Sequence, residues 1–321
     1  MWNSRIGRIA RAIVTLCLIL FVCYQAGFFT EEGMERFAGL WLTVDWGLVV
    51  LSIMVAFVQN LVSVMKWRVV VVAKRLKGTV FQLLEYLYVG RLYNLILPTS
   101  MGGDVIRVYR LGKINSNMER AAASVFVDRF TGMILLLLLA GVVVMISFRG
   151  SGELFILSLL FVFGVALVLG WGAVDHRFAR VLERFSEKVD SKLFKKVGEK
   201  FHAFQVSIRD LRRNRKFFTG ILIYSLLFYC FAVMNVWTSA LAFDWEVELV
   251  DMIVAVPLIM LVMNLPVSIG GLGLMEASYT VGFELLGYSA ELGLTTALLM
   301  RAKTLIDALV GGAFELSSSV R

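Results

Sequence analysis

The sequence predicts an all-α polytopic membrane protein, with about six spanning helices and two re-entrant helical segments in an inverted-topology repeat. First, hydrophobic residues make up 59% of the 321 residues and the mean hydropathy is +0.80, whereas apolar residues are about half of a typical soluble domain. Second, the segment LPTSMGG at 97–103 returns as LPVSIGG at 265–271. Such a break in each half indicates a transporter-type site between repeats. Third, Lys and Arg are concentrated in alternate loops, which predicts an orientation in the membrane.

The six spanning helices are predicted from apolar stretches that approach or exceed the roughly 20 residues needed to cross a bilayer. They lie at about 12–28, 46–65, 121–147, 153–174, 217–243 and 290–316. Arg5, Arg8 and Arg11 precede the first stretch, as they would in a signal peptide. No small-residue cleavage site follows, so we expect a retained first helix.

Two further apolar segments, 79–104 and 249–276, contain the repeated break, and their flanking charges predict that each is re-entrant. Basic residues gather at 5–11, 66–77, 107–120 and 175–216. The positive-inside rule therefore places these loops and both termini in the cytoplasm. The first segment lies between two basic clusters, and acidic loops flank the second. We expect the two segments to enter the membrane from opposite sides.

The predicted organisation is one integral membrane domain over 1–321, with repeat one at about 10–148 and repeat two at about 150–316. Loop 175–216, inside repeat two, carries 13 Lys and Arg against 6 Asp and Glu. Its apolar residues recur every three or four positions, which favours an amphipathic helix on anionic inner-leaflet lipids. A solvated linker is an equally good interpretation.

The two breaks are the predicted binding site. Proline ends an incoming helix, and a helix that restarts after Gly-Gly directs free N–H groups and a positive dipole end at an anion. The alternative is that the glycines only allow tight helix packing. The residues assigned to the site from the breaks are Asn94, Pro98, Ser100, Gly102 and Gly103 in the first copy and Asn264, Pro266, Ser268, Gly270 and Gly271 in the second.

Ionisable residues within apolar segments are costly and are therefore candidates for function. Those assigned to the site are Asp104, Arg107, Asp128, Arg129, Glu276 and Arg301. Arg129 and Arg301, one in each half, suit a lipid phosphate because a guanidinium pairs with phosphate through two hydrogen bonds. Glu276 offsets them, or binds a cationic headgroup or a proton. Glu85 and Arg91 precede the first break, and Lys303 and Asp307, four apart, are expected to neutralise each other.

Other chemistry has little support in the sequence. The three cysteines lie in apolar runs and both histidines lie in loop 175–216. A disulfide framework, a zinc site and imidazole chemistry near the breaks are therefore not indicated. The chain has no Gly-x-x-x-x-Gly-Lys nucleotide loop. We expect no cofactor, no metal and no nucleic-acid partner; the oligomeric state is left open.

These residues resemble the lysylphosphatidylglycerol synthase transmembrane-region family of flippase-like membrane domains. The resemblance covers about residues 10–316. It depends on Tyr93-Asn94 through Leu97-Pro98, Gly102-Gly103-Asp104 to Arg107, Val127-Asp128-Arg129, and Pro266 through Gly270-Gly271-Leu272-Gly273 to Glu276. It implies a bacterial or archaeal cytoplasmic membrane protein that moves lipids or lipid-linked groups between leaflets. Because the chain ends at Arg321 without a synthetase domain, we expect that it does not aminoacylate a lipid itself.

The predicted function is therefore a lipid flippase that moves a phospholipid or lipid-linked headgroup through a polar groove between the two re-entrant segments. One alternative is a membrane enzyme acting on a lipid phosphate or lipid-linked sugar, supported by the cluster of Asp104, Arg107, Asp128 and Arg129. Against it, no nucleophile lies beside a base. The other alternative is a membrane partner that recruits a lipid-biosynthesis enzyme through loop 175–216.

Overall fold

A computed structural model of the chain describes residues 30–96, 102–147, 215–244, 246–264 and 271–319, with single positions at 13, 16, 17, 20, 24, 160, 164 and 268. Within these residues all regular structure is helical. The helices are α1 (Glu31–Leu42), α2 (Trp46–Ala73), α3 (Val80–Ile96), α4 (Gly102–Asn115), α5 (Met118–Ser147), α6 (Arg215–Leu241), α7 (Leu249–Met263), α8 (Leu274–Glu284) and α9 (Ala290–Ser319). The predicted all-α class is confirmed.

Three described helices are long and apolar enough to cross a membrane. They span Trp46–Ala73, Met118–Val142 and Arg215–Leu241, with mean hydropathies of 2.3, 2.0 and 2.1. Each covers most or all of a predicted span. The predicted span at 290–316 coincides with α9, whose interior charges lower its hydropathy. Most of the spans at 12–28 and 153–174, and loop 175–216 up to residue 214, lie outside the described residues.

The acidic segment before the second predicted span forms a helix rather than the expected loop. In α1, Glu31 and Glu35 are polar, whereas Leu40 packs against a buried core and Trp41 contacts Phe243 edge to face at 5.1 Å between ring centroids. A helix with one apolar stripe can lie against a core despite its charges. The Asp45 carboxylate then accepts the Gly47 and Leu48 N–H groups and begins α2.

The described residues fall into two compact units, each made from separate parts of the chain. Unit 1 contains Met1–Val62, Phe81–Arg107 and Leu227–Arg321. Its core is built from the second half of α6 together with α7, α8 and α9, with Met252, Phe283 and Ala297 among its most buried side chains. Helix α8 packs on both α7 and α9.

The turn after α8 ties unit 1 together outside the spanning helices. The Tyr288 hydroxyl donates to the Asp251 carboxylate at 2.6 Å and accepts the Glu248 N–H at 3.0 Å. Partial burial, followed by the hydrogen bond to Asp251, raises the pKa of Tyr288 above its usual value. The start of α7 is thereby fixed to the turn that leads into α9.

Unit 2 contains Ser63–Val80 and Val108–Leu226. Its described core joins the end of α2, the first half of α5 and the start of α6 through Val70, Val127, Phe217 and Ile221. The Trp67 indole N–H donates to the buried Ser124 hydroxyl at 3.3 Å. A small number of large apolar side chains and a few buried polar contacts therefore hold this unit together.

Candidate functional site

A cavity of about 330 Å³ lies in unit 1, beside the second break. Its lining consists of polar side chains from α3 and α9, apolar side chains from α3, α7 and α8, and one glycine of the turn before α8: Arg91, Asn94, Arg301 and Thr304; Leu95, Met263, Leu274 and Met275; and Gly271. The volume is at the lower end of that of small-molecule sites. Its mixed lining suits a ligand with an anionic group and an apolar part.

Arg301 projects from α9 and is held by the second break. Its Nε lies 2.5 Å from Glu276 Oε1, and Nη2 donates to Glu276 Oε2 and to the Gly271 carbonyl, both at 3.0 Å. The other terminal nitrogen has no hydrogen-bond partner among the described residues. Arg301 therefore keeps donors for a ligand while its orientation is fixed.

Glu276 has a second role, because it also completes the start of α8. Its Oε2 accepts the Gly273 N–H at 2.9 Å. Gly271 and Gly273 adopt φ values of +72° and +74°, a region that costs other L-residues energy. These two glycines turn the chain so that one carboxylate can contact both the helix N-terminus and Arg301.

The second cavity arginine is Arg91 of α3. It donates through Nη1 to Asp307 and through Nη2 to Asn60 Oδ1 at 2.5 Å. The Asn60 amide lies 3.3 Å from both Asp307 oxygens and 3.4 Å from the Tyr88 hydroxyl. The expected neutralisation of Asp307 by Lys303 is therefore wrong, since Asp307 pairs with an arginine on another helix.

Lys303 instead lies among neutral oxygens. It is 5% exposed, and its Nζ is 2.6 Å from both Asn235 Oδ1 and Ser239 Oγ. The Asn235 amide in turn donates to Gln59 Oε1 at 2.9 Å. No carboxylate lies within ion-pair distance of Lys303 in the described part of the chain. The Lys303 Nζ is thus held by hydrogen bonds to neutral oxygens and not by an ion pair.

The residues around the first break make contacts with one another. The Gly103 N–H donates to Asn94 Oδ1 at 2.6 Å, which satisfies one of the donors at the start of α4. A Cβ on Gly103 would overlap the Gly90 carbonyl, so this glycine also permits close helix packing. Asp104 and Arg107, three residues apart on α4, form an ion pair at 3.3 Å, and Arg107 is 5% exposed. Gly102 begins α4 and is buried.

Asp128 and Arg129 belong to unit 2 and differ in burial. Asp128 is 4% exposed and lies 3.2 Å from Lys66 Nζ, which also donates to the Asp128 carbonyl at 3.0 Å. Gly132 leaves the space that Lys66 occupies. Arg129 is exposed and is not among the residues lining the cavity. Lys66 was expected in a cytoplasmic basic cluster, but its burial makes Arg68 the first exposed cation of that segment.

The structure describes only some of the remaining residues that were predicted for the site. Asn264 ends α7 in an exposed position, with its amide donating to Met260 O at 2.7 Å, and Ser268 is buried. Pro98, Ser100, Pro266 and Gly270 lie outside the described residues. Of the predicted set, Asn94, Gly271 and Arg301 line the cavity.

Sequence reasoning missed Asn60 and assigned Lys66 to a loop. Asn60 lies within an apolar span, and a polar amide at that depth was the available signal.

No group of three or more His, Cys, Asp or Glu side chains that could hold a metal ion comes together in the described ranges.

Comparison with known proteins identifies the family. The family model described as the lysylphosphatidylglycerol synthase TM region matches residues 8–311. A protein of Methanothermobacter thermautotrophicus, described as a UPF0104 membrane protein, is 22% identical over 269 residues, covering 79% of this chain and 80% of that protein. No solved structure matches. The family match spans almost the whole chain, and the protein therefore belongs to the lysylphosphatidylglycerol synthase TM region family.

Proposed function

We propose that the protein is a lipid translocator that moves a phospholipid or lipid-linked headgroup across the cytoplasmic membrane. The observation that carries this proposal is the cavity shared by Arg91 and Arg301. Guanidinium groups bind phosphate through paired hydrogen bonds. A cavity that places two of them beside apolar side chains suits a lipid phosphate with the first methylenes of its chains.

The formal charges around the cavity support an anionic ligand. Arg91 and Arg301 both line the cavity, whereas their carboxylate partners Asp307 and Glu276 are not among its lining residues. The side chains that line it thus include two cations and no anion. A phosphodiester carries one negative charge and can accept hydrogen bonds from both guanidinium groups.

The two breaks would supply the rest of the site. Asn94 accepts the Gly103 N–H of α4, and Glu276 accepts the N–H of Gly273, the residue before α8. The Met275 N–H of α8 is taken by the Gly271 carbonyl. A helix start has about four such donors, and in this proposal the remaining ones bind the ligand. In this proposal Glu276 holds Arg301 in place, and re-entry of the two segments from opposite sides gives the headgroup access from each leaflet in turn.

The enzyme alternative gains no support from its proposed cluster. Asp104 is paired with Arg107 and Asp128 with Lys66, so each carboxylate is engaged in an ion pair. A general base needs to reach a substrate proton. We therefore propose transport and no second function.

The test uses purified protein in liposomes that contain fluorescent phosphatidylglycerol, phosphatidylethanolamine or phosphatidylcholine, with an impermeant quencher added outside. A translocator lets the quencher remove more than the outer-leaflet fluorescence. We expect Arg301→Gln and Arg91→Gln to slow this excess quenching at least tenfold, because each removes a phosphate contact worth about 1.4 kcal/mol or more. Quenching limited to the outer leaflet with every lipid would overturn the proposal.

Two further variants make the test specific. Lys113→Gln removes one exposed positive charge far along α4 from the break, and we expect it to transport at the wild-type rate. Arg129→Ala tests the other arginine that the sequence assigned to phosphate. If Arg129→Ala abolished transport while Arg91→Gln kept full activity, the phosphate would be assigned to Arg129 and Arg301, as the sequence predicted, and not to Arg91 and Arg301.

A further inference from the structure

A second cavity, in unit 2, is formed where the end of α2 meets the start of α6. On α2 the residues Met65, Arg68, Val69 and Val72 recur at three- and four-residue spacing, so they share one helix face. Gly220 of α6 allows the two helices to approach, since a Cβ there would lie 3.2 Å from a Val69 methyl. The result is a cavity of about 470 Å³ with an apolar wall.

Three basic side chains line this cavity: Arg68, Arg75 and Lys216. Arg75 is positioned by the end of α2, where its φ of +57° turns the chain and the Leu76 N–H closes onto the Val71 carbonyl at 3.0 Å. The remaining lining residues are apolar except for Tyr224, and none of them is acidic. The cavity thus combines concentrated positive charge with hydrocarbon.

These three cations are without an ion-pair partner within the described ranges, in contrast to Lys66 of the same unit, which is paired with a carboxylate. Three like charges around one cavity repel each other. An anion bound between them would relieve that repulsion. Phosphate oxygens are the strongest acceptors for arginine and lysine donors.

We propose that this α2–α6 cavity is a binding site for an anionic phospholipid, separate from the cavity of unit 1 and independent of the transport proposal. The phosphate would lie among Arg68, Arg75 and Lys216, the Tyr224 hydroxyl would donate to a glycerol or ester oxygen, and the acyl chain would pack on Val69 and Val72. The cavity is much larger than an inorganic phosphate ion needs, and its apolar wall favours a lipid over free phosphate.

The test measures binding of palmitoyl-oleoyl phosphatidylglycerol to the full-length protein in detergent by native mass spectrometry. We expect the triple variant Arg68→Gln, Arg75→Gln, Lys216→Gln to bind the lipid at this site at least tenfold more weakly. The matched control is Lys77→Gln, Lys113→Gln, Arg120→Gln, which removes the same charge from exposed residues of unit 2 outside the cavity. Equal loss in both triple variants would show a general surface-charge effect and overturn the site.

Val72→Trp distinguishes a lipid from free phosphate. Val72 is 58% exposed, so the larger ring is tolerated, and it fills the apolar part of the cavity without changing any charge. We expect weaker phosphatidylglycerol binding in Val72→Trp, and no competition by millimolar inorganic phosphate in the wild type. Competition by phosphate together with unchanged lipid binding in Val72→Trp would assign the cavity to the free anion and overturn the lipid proposal.

Discussion

At the scale of single residues, Glu276 joins local structure to the candidate site. The same carboxylate accepts the Gly273 N–H and binds Arg301. Removing it would leave a partly buried guanidinium and a helix N-terminal donor without their partner. Its contribution to stability therefore exceeds that of an ordinary surface ion pair.

We expect Glu276→Ala to lower the free energy of unfolding by about 2 kcal/mol, because the Arg301 side chain is only 20% exposed. Glu276→Gln retains an oxygen for the Gly273 N–H, and we expect a loss of about 1 kcal/mol. Unfolding by SDS in detergent micelles measures both. An alanine variant as stable as the glutamine variant would contradict the double role.

Lys303 gives a second prediction at this scale, which concerns the stability of the protein. Lys303→Met removes the cost of burying an amine, which offsets the loss of its hydrogen bonds to Asn235 and Ser239. We expect Lys303→Met to stay within about 1 kcal/mol of the wild type. Asn235→Leu removes an acceptor from Lys303 and is expected to cost about 2–3 kcal/mol.

Unfolding by SDS in detergent micelles measures both variants. A loss of stability in Lys303→Met as large as that in Asn235→Leu would contradict the prediction and make the buried Lys303 Nζ itself a main stabilising contact of this part of unit 1.

The sequence indicated which ionisable residues lie within apolar segments, but not which residues pair with them. Arg301 and Glu276 were both selected from the cost of charge in an apolar segment, and the structure joins them. Asp307 was assigned to Lys303 because four residues separate them on one helix. Arg91 is 216 residues away and still forms the pair. Helix spacing cannot reveal a competing partner from another helix.

At the scale of helices, glycines decide how closely backbones approach. A Cβ on Gly311 of α9 would overlap the Tyr88 carbonyl of α3, whereas a Cβ on the adjacent Gly312 would meet no atom within 4 Å. Small residues at such contacts are typical of membrane helices. The two neighbouring glycines therefore form a matched pair for mutation.

We expect Gly311→Ala to destabilise the protein by about 1–3 kcal/mol, because overpacking forces the two helices apart. Gly312→Ala should be neutral or stabilising by up to about 1 kcal/mol, since alanine is the better helix former. Thermal unfolding of the two variants side by side measures the difference. Similar melting temperatures would refute close packing of α3 on α9.

The helices themselves were largely predictable and their exceptions have physical causes. The apolar stretches at 46–65, 121–147 and 217–243 agree with α2, α5 and α6, because hydrophobic length is a strong signal. Helix α1 was not predicted, because its acidic residues made the segment look like a loop although its apolar stripe packs on the core. From the sequence, Gly103 could serve helix packing or ligand binding. The structure places the Gly90 carbonyl where a Cβ on Gly103 would lie, which shows the packing role.

At the scale of the whole molecule, the inverted repeat and the re-entrant segments stay predictions. Unit 1 takes residues from both predicted repeats, so the compact units and the sequence repeats divide the chain differently. Loop charge orients the chain but does not specify how its helices group together. That grouping depends on tertiary contacts that the repeated heptapeptide does not encode.

Single cysteines in a background without native cysteines test the predicted orientation. We expect Lys77→Cys and Lys113→Cys, which bracket the first re-entrant segment, to react with an impermeant maleimide from the cytoplasmic side. Glu248→Cys and Glu284→Cys bracket the second and are expected to react from the outside. All four positions lie at or beyond helix ends. Labelling of the two members of either pair from different sides would show a crossing segment.

The two ion pairs of the unit 1 cavity have a consequence for sequence variation among relatives. Helix α9 contributes a base to one pair, Arg301 with Glu276, and an acid to the other, Asp307 with Arg91. Loss of one member strands a charge, so drift at these sites is coupled. Positions 276 and 301 are expected to co-vary, as are 91 and 307. Relatives are therefore expected to keep both members of a pair or to lack both, and rarely to keep only one.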